Sequence, residues 1–141
     1  MKKRNLENKV AIITGASSGI GKATARLFAA EGAQVFLVAR NEEILKEECS
    51  LIRQQGGKAA YLSADLRDIS KLSNVIEAVL QEFNKIDILV NGAGVIASGT
   101  IKNTTIEDWE KMFALNVTAV FALSQLCIPE IIKNKGNINI E

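Results

Sequence analysis

Five short runs of strand length, separated by amphipathic stretches of helix length, constrain what this chain can fold into more than any other feature. The runs are residues 10–14, 34–39, 59–63, 86–90 and the less apolar 137–140. Most are continuously apolar instead of alternating, which is the pattern of strands buried on both faces. Between them lie helix-length segments at 19–31, 42–55, from Asp68 to about 83, and a longer region from Thr105 to about 133. Gly32 and the pair Gly56-Gly57 follow two of these segments as C-terminal stops, and Asp68 is expected to N-cap the third. Strand–helix alternation with right-handed crossovers predicts an α/β fold, a doubly wound parallel sheet of Rossmann type with five strands in one domain over residues 1–141. Its ligand crevice is expected at the carboxyl ends of the strands.

Composition removes several classes of function. Lys plus Arg number 17 and Asp plus Glu 16, a formal net charge of +1, without the positive excess of a nucleic-acid binder. Apolar residues make up 48% and charged residues 23%, as in a soluble globular domain. Histidine is absent, which excludes imidazole triads, His-ligated zinc and a histidine pH switch. The two cysteines, Cys49 and Cys127, are too far apart in sequence for a CxxC pair. No metal site is expected, and two free thiols fit a reducing, cytoplasmic setting. Residues 112–129 are uncharged but include Asn116, Thr118, Ser124, Gln125 and Pro129. They are expected to form a buried helix, not a membrane span. Near the basic N-terminus, Glu7 and Lys9 interrupt any apolar signal core.

The first strand hands over to the first helix through Thr14-Gly15-Ala16-Ser17-Ser18-Gly19-Ile20-Gly21. The spacing is GxxxGxG, yet the physics is that of a phosphate-binding turn. Gly15 permits a sharp exit from the strand, Gly19 lets a phosphate approach the backbone, and Gly21 lets the helix pack closely. The helix N-terminus favours an anion, and Ser17 and Ser18 add hydroxyl donors. About 20 residues on, an acidic side chain would mark NAD by binding the ribose hydroxyls. Here Ala39 is followed by Arg40, whose guanidinium suits a 2′-phosphate. NADP is therefore expected over NAD.

The turn at 14–21, Asp65-Leu66, Asn91-Gly92-Ala93-Gly94 and Asn116-Val117 together resemble the N-terminal half of a short-chain dehydrogenase/reductase, over residues 6–140. The resemblance implies cofactor contacts from Gly15, Ser17, Ser18, Gly19, Ile20 and Gly21, and from Asp65 and Leu66 near the adenine. Capping of the next helix is the other reading of Asp65. The resemblance also places Asn91, Ala93 and Gly94 along the cofactor, with Asn91 steadying the central sheet. Gly92 replaces the second asparagine of the family's Asn-Asn-Ala-Gly, and a looser crevice is expected there.

Family members share a catalytic set of Asn, Ser, Tyr and Lys, in which a cation lowers the phenol pKa of the Tyr so that it serves as the acid–base group. Of these only the Asn is matched, at Asn116, which has a second reading as a polar residue satisfied by backbone. Tyr61 is the sole tyrosine and residue 65 is Asp, so no Tyr-x-x-x-Lys occurs. By resemblance the fold is incomplete relative to the family, truncated at its C-terminal end before the catalytic Ser. The expected function is the NADP-binding portion of an oxidoreductase that moves hydride between a nicotinamide and a small-molecule alcohol or carbonyl substrate, inactive as this chain alone. The alternative is a non-catalytic dinucleotide-binding or interaction module that pairs with intact relatives. A methyltransferase fits poorly, because Arg40 stands where an acidic residue would hold the ribose. Val117, Val120, Phe121, Leu123 and Leu126, with an uncovered fifth strand, predict self-association through the helix at 112–133.

Overall fold

The computed structural model describes residues 3–141. Strand β1 (Val10–Thr14) lies at the centre of one parallel sheet. It pairs with β2 (Gln34–Ala39) on one side and β4 (Ile88–Asn91) on the other. Outside these lie β3 (Lys58–Ser63) and β5 (Asn137–Ile140), giving the order β3-β2-β1-β4-β5. The chain winds one way from β1 to β3 and the other way through β4 and β5. A crevice therefore opens between β1 and β4 at their carboxyl ends.

The continuous apolar runs have a simple cause. Successive strand residues point to opposite faces, and both faces are covered. Ala11, Ile13, Val35 and Leu37 pack with Leu45, Cys49 and Ile52 beneath helices α1 (Gly19–Ala30) and α2 (Glu42–Gln54). Ile12, Phe36, Val38 and Leu89 pack on the other face with Val75, Val79 and Leu123, from helices α3 (Leu72–Phe83) and α5 (Ala119–Lys133). Helix α2 is capped by Asn41, whose Oδ1 accepts from Ile44 N at 3.2 Å, and Glu42 and Glu43 occupy its positive first turn. Between α1 and α2, buried Glu48 accepts a two-pronged bond from Arg26 at 2.8 and 2.7 Å, with Lys22 Nζ 3.3 Å away. The Arg26 bonds hold its carboxyl below the usual range against the opposing effect of burial.

Asp68 does not cap α3. A 3-10 turn (Ile69–Lys71) intervenes and places Lys71 at the cap position. The Asp68 carboxylate instead accepts from Ser70 Oγ at 2.6 Å and lies 3.6 Å from Lys71 Nζ. Strand β4 starts two residues later than expected. Asp87 is buried below it, accepting from Val10 N at 2.8 Å and pairing with Lys85 at 3.1 Å.

The largest departure concerns residues 112–129, expected to form a buried helix. They belong to a helical run from Ile106 to Lys133, made of α4 (Ile106–Phe113), a π-helical turn (Ala114–Thr118) and α5. Within α5 only Ala119, Leu123, Cys127 and Ile131 are buried, an i, i+4 stripe facing α3, β4 and β5. Phe121 and Ile132, by contrast, are 66% and 70% exposed. One helix laid on one sheet buries only the stripe that faces it. Phe113, Val117, Phe121, Leu126, Ile128 and Ile132 are left exposed, and β5 presents Ile140 at a free sheet edge. By length and composition alone the run is apolar enough to cross a membrane, with mean hydropathy 1.6. In this fold its α5 part lies over the sheet.

Candidate functional site

A cleft of about 470 Å³ opens at the carboxyl ends of the central strands. That lies within the range, roughly 300–1,000 Å³, of small-molecule and cofactor sites. The turn before α1 forms its floor. Gly15 has φ +65°, and a Cβ there would lie 2.4 Å from the Gly92 carbonyl oxygen. A Cβ on Gly21 would lie 2.3 Å from the Gly15 carbonyl oxygen. Both glycines are thus required by backbone meeting backbone. Gly19 differs: it has φ +53°, and nothing lies within 4 Å of its Cβ direction. Open space therefore faces the start of α1, where backbone N–H groups have no intrahelical partner. No acidic residue occupies the first turn. Ser18 holds the N-cap position without a side-chain cap bond, so Ser17, Ser18 and exposed Ile20 present themselves to the cleft.

One wall comes from the exits of β2 and β3. Ala64 N donates to Ala39 O at 2.9 Å, and Ser63 Oγ donates to Arg40 O at 2.8 Å. These bonds draw the segment carrying Asp65, Leu66 and Arg67 alongside Arg40, and all four residues line the cleft. Leu66 is buried in the core and anchors the segment. Asp65 caps no helix. Its two oxygens accept from Arg67 Nε and a terminal guanidinium nitrogen at 3.0 and 2.8 Å. That guanidinium, more than any other neighbour, holds the Asp65 carboxyl down to about 2.

The opposite wall is the loop after β4. Thr14 Oγ1 accepts from Gly92 N and Ala93 N at 3.1 and 3.2 Å. Gly92 leaves no slack: a Cβ there would lie 2.6 Å from the Thr14 carbonyl oxygen. The glycine substitution goes with close packing here, not with the looser crevice expected. Ala93 and Gly94 line the cleft. Asn91 is buried, and its Nδ2 donates to Ser124 Oγ and Asn139 O at 3.3 and 3.4 Å. Its side chain ties β4 to β5 and α5 instead of entering the cleft.

Asn116 sits in the π-helical turn, a distortion often found at functional sites. Its Oδ1 accepts from Val95 N at 2.9 Å and its Nδ2 donates to Val95 O at 2.7 Å. Both bonds go to backbone, and they hold the loop that borders the cleft. Tyr61 lies on β3, away from the cleft lining. Sequence reasoning missed Thr14, whose signal is a hydroxyl at the carboxyl end of an otherwise apolar strand. It also missed Arg67, signalled only by its place two residues after Asp65.

Comparison with known proteins gives the site its setting. A family model described as short chain dehydrogenase matches residues 9–140. A 2,5-dichloro-2,5-cyclohexadiene-1,4-diol dehydrogenase of Sphingobium indicum is 42% identical over 135 residues, 96% of this chain and 54% of that protein. A 2,3-dihydro-2,3-dihydroxybenzoate dehydrogenase of Bacillus subtilis is 39% identical over 125 residues, 89% of this chain and 48% of that one. The crystal structure of L-sorbose reductase from Gluconobacter frateurii, complexed with NADPH and L-sorbose, superposes with a TM-score of 0.93 at 34% identity. It is covered to 54% and this chain to 99%. The chain thus spans about half the length of the proteins it matches.

Proposed function

The chain belongs to the short-chain dehydrogenase family, and on that premise we propose that its cleft holds NADP for an oxidoreductase acting on an alcohol or carbonyl substrate. The observation that carries this reading is the open first turn of α1 in a cleft that Arg40 also lines. Backbone N–H groups beyond Gly19, with Ser17 and Ser18, would hold the pyrophosphate. Arg40 would pair with the 2′-phosphate. Ala93 and Gly94, on the loop pinned by Thr14 and Asn116, would give the cofactor a wall of small residues. When bound, the nicotinamide supplies or accepts the hydride. That L-sorbose reductase was crystallised with NADPH supports the choice of dinucleotide.

Of the family's catalytic set, these residues contribute only Asn116, so we place cofactor binding in this chain and expect no turnover from these 141 residues alone. The buried thiols of Cys49 and Cys127 are compatible with the proposed cytoplasmic setting. A second reading, an interaction module, is favoured by the exposed apolar faces of α4 and α5. Trp109 and Phe113 of α4, Val117 of the π-helical turn and Phe121 of α5 are all exposed. On that reading the chain elutes from size-exclusion chromatography as a dimer or larger species, and a stable monomer at tens of micromolar would count against it.

The cofactor reading is tested by titrating the chain with NADPH and NADH by fluorescence or calorimetry, beside Arg40→Asp. Saturable NADPH binding is expected. The substitution exchanges attraction for repulsion at the 2′-phosphate and should weaken NADPH by about 10- to 100-fold while sparing NADH. Absence of saturable binding by either nucleotide would sink the reading.

A further inference from the structure

We propose that Arg67 is a specificity-determining residue that acts through Asp65: by neutralising that carboxylate it leaves Arg40 as the one uncompensated charge at the 2′-phosphate end of the cleft. The inference rests on the cofactor reading above and deepens it.

A free carboxylate on the wall beside Arg40 would work against NADP in two ways. It would compete for the guanidinium, and it would repel a dianionic phosphate. The structure counters both effects. Arg67 meets Asp65 with Nε, a terminal guanidinium nitrogen and its own backbone N–H, at 3.0, 2.8 and 3.0 Å. The fork occupies both carboxylate oxygens and turns them towards residue 67. A two-residue separation suffices because the segment is a tight turn, with Asp68 N donating to Asp65 O at 3.1 Å and Leu66 anchored in the core.

The same pairing repeats next door. Asp68, which with Lys71 borders an adjoining hollow that Arg40 shares, has its carboxylate taken by Ser70 Oγ and Lys71 Nζ. Each carboxylate on this wall thus has its own cation. Arg40 makes no ion pair among the described residues. It is nevertheless near enough for its charge to help lower the Asp65 pKa. The local balance is one net positive charge, and it rests on the guanidinium best placed for the phosphate.

The experiment is a double-mutant cycle on the intact chain, with NADPH and NADH titrated at low ionic strength against R67A, D65N and D65N/R67A. Circular dichroism would confirm equal helix content. R67A should unmask the carboxylate and weaken NADPH about five-fold, with NADH changed less than about two-fold. D65N/R67A should return the NADPH-over-NADH preference to within about two-fold of that of the unsubstituted chain, since any contact of residue 65 with the adenine is common to both nucleotides. The R67A defect should shrink as salt rises. Equal losses for both nucleotides in R67A would overturn the proposal by making the pair merely structural. A loss of NADPH preference that D65N/R67A fails to rescue would overturn it too, by showing that Arg67 touches the phosphate itself. If the unsubstituted chain bound neither nucleotide, the failure would lie with the cofactor reading of the cleft.

Discussion

Gly15→Val is expected to abolish nucleotide binding and to lower the stability of the chain by about 3–5 kcal/mol. The new Cβ would fall 2.4 Å from the Gly92 carbonyl oxygen, 2.6 Å from its carbonyl carbon and 2.7 Å from Ala93 N. None of these is the yielding end of a side chain. The backbone must also keep φ near +65°, which a β-branched residue adopts only under strain. Relief of the clash would part β1 from the loop after β4, breaking the bonds from Gly92 N and Ala93 N to Thr14 Oγ1. Gly19→Ala supplies the control. It meets no atom within 4 Å and carries only the cost of its positive φ, about 1 kcal/mol, although its methyl would intrude where a phosphate is to sit. Urea midpoints and NADPH titrations of both variants separate the two effects. A Gly15→Val chain with an unchanged midpoint would show that the turn and the loop do not meet as described.

The second large effect is expected at the helix whose burial the sequence misrepresents. Leu123→Ala should cost about 2–5 kcal/mol, a large part of the roughly 5–15 kcal/mol by which domains of ordinary size are stable. Leu123 is 1% exposed, at the centre of the stripe formed with Ala119, Cys127 and Ile131. That stripe holds all the fully buried residues of α5. Phe121→Ser, two residues away on the exposed side, should change stability by no more than about 0.5 kcal/mol. Chemical denaturation of the two variants reads the contrast directly. Similar losses would mean that the outer face of α5 is covered in solution, as self-association through α4 and α5 would bring about.

The pair also shows where sequence reasoning reaches its limit. In β1 and β2, continuous runs of Val, Ile, Leu and Phe announce strands covered on both sides, and the structure covers both. In residues 112–129 an equally apolar run announces burial, yet the structure buries one stripe of it. Apolar content records that a helix has partners to find, not how many faces they cover. Asp68 makes the same point on a smaller scale. Its residue type suits an N-cap, but an intervening 3-10 turn hands the position to Lys71.

At the candidate site the division follows contact range. Gly15, Gly19 and Gly21 were legible because a strand-to-helix turn with positive φ and a close backbone crossing leaves glycine as the suitable residue, whatever lies further away. Arg40 was legible because its place at the end of β2 follows from strand length. Thr14 and Asp87 were not legible in these roles, because each acts on a partner that folding alone brings near. The bracing of the sheet by Asn91, by contrast, was expected from the resemblance. Thr14 accepts from residues 78 and 79 positions away, and Asp87 accepts from Val10 N across 77. The pairing of Asp65 with Arg67 is local in sequence, but its importance beside Arg40 depends on β3 lying against β2. Residue order alone determined the strands, the main helices, the winding of the sheet and the glycine turn, because these rest on backbone sterics and periodicity. Tertiary structure alone decided which side chains face the cleft and which brace it, because hydrogen bonds and charge pairing depend on distances that folding creates.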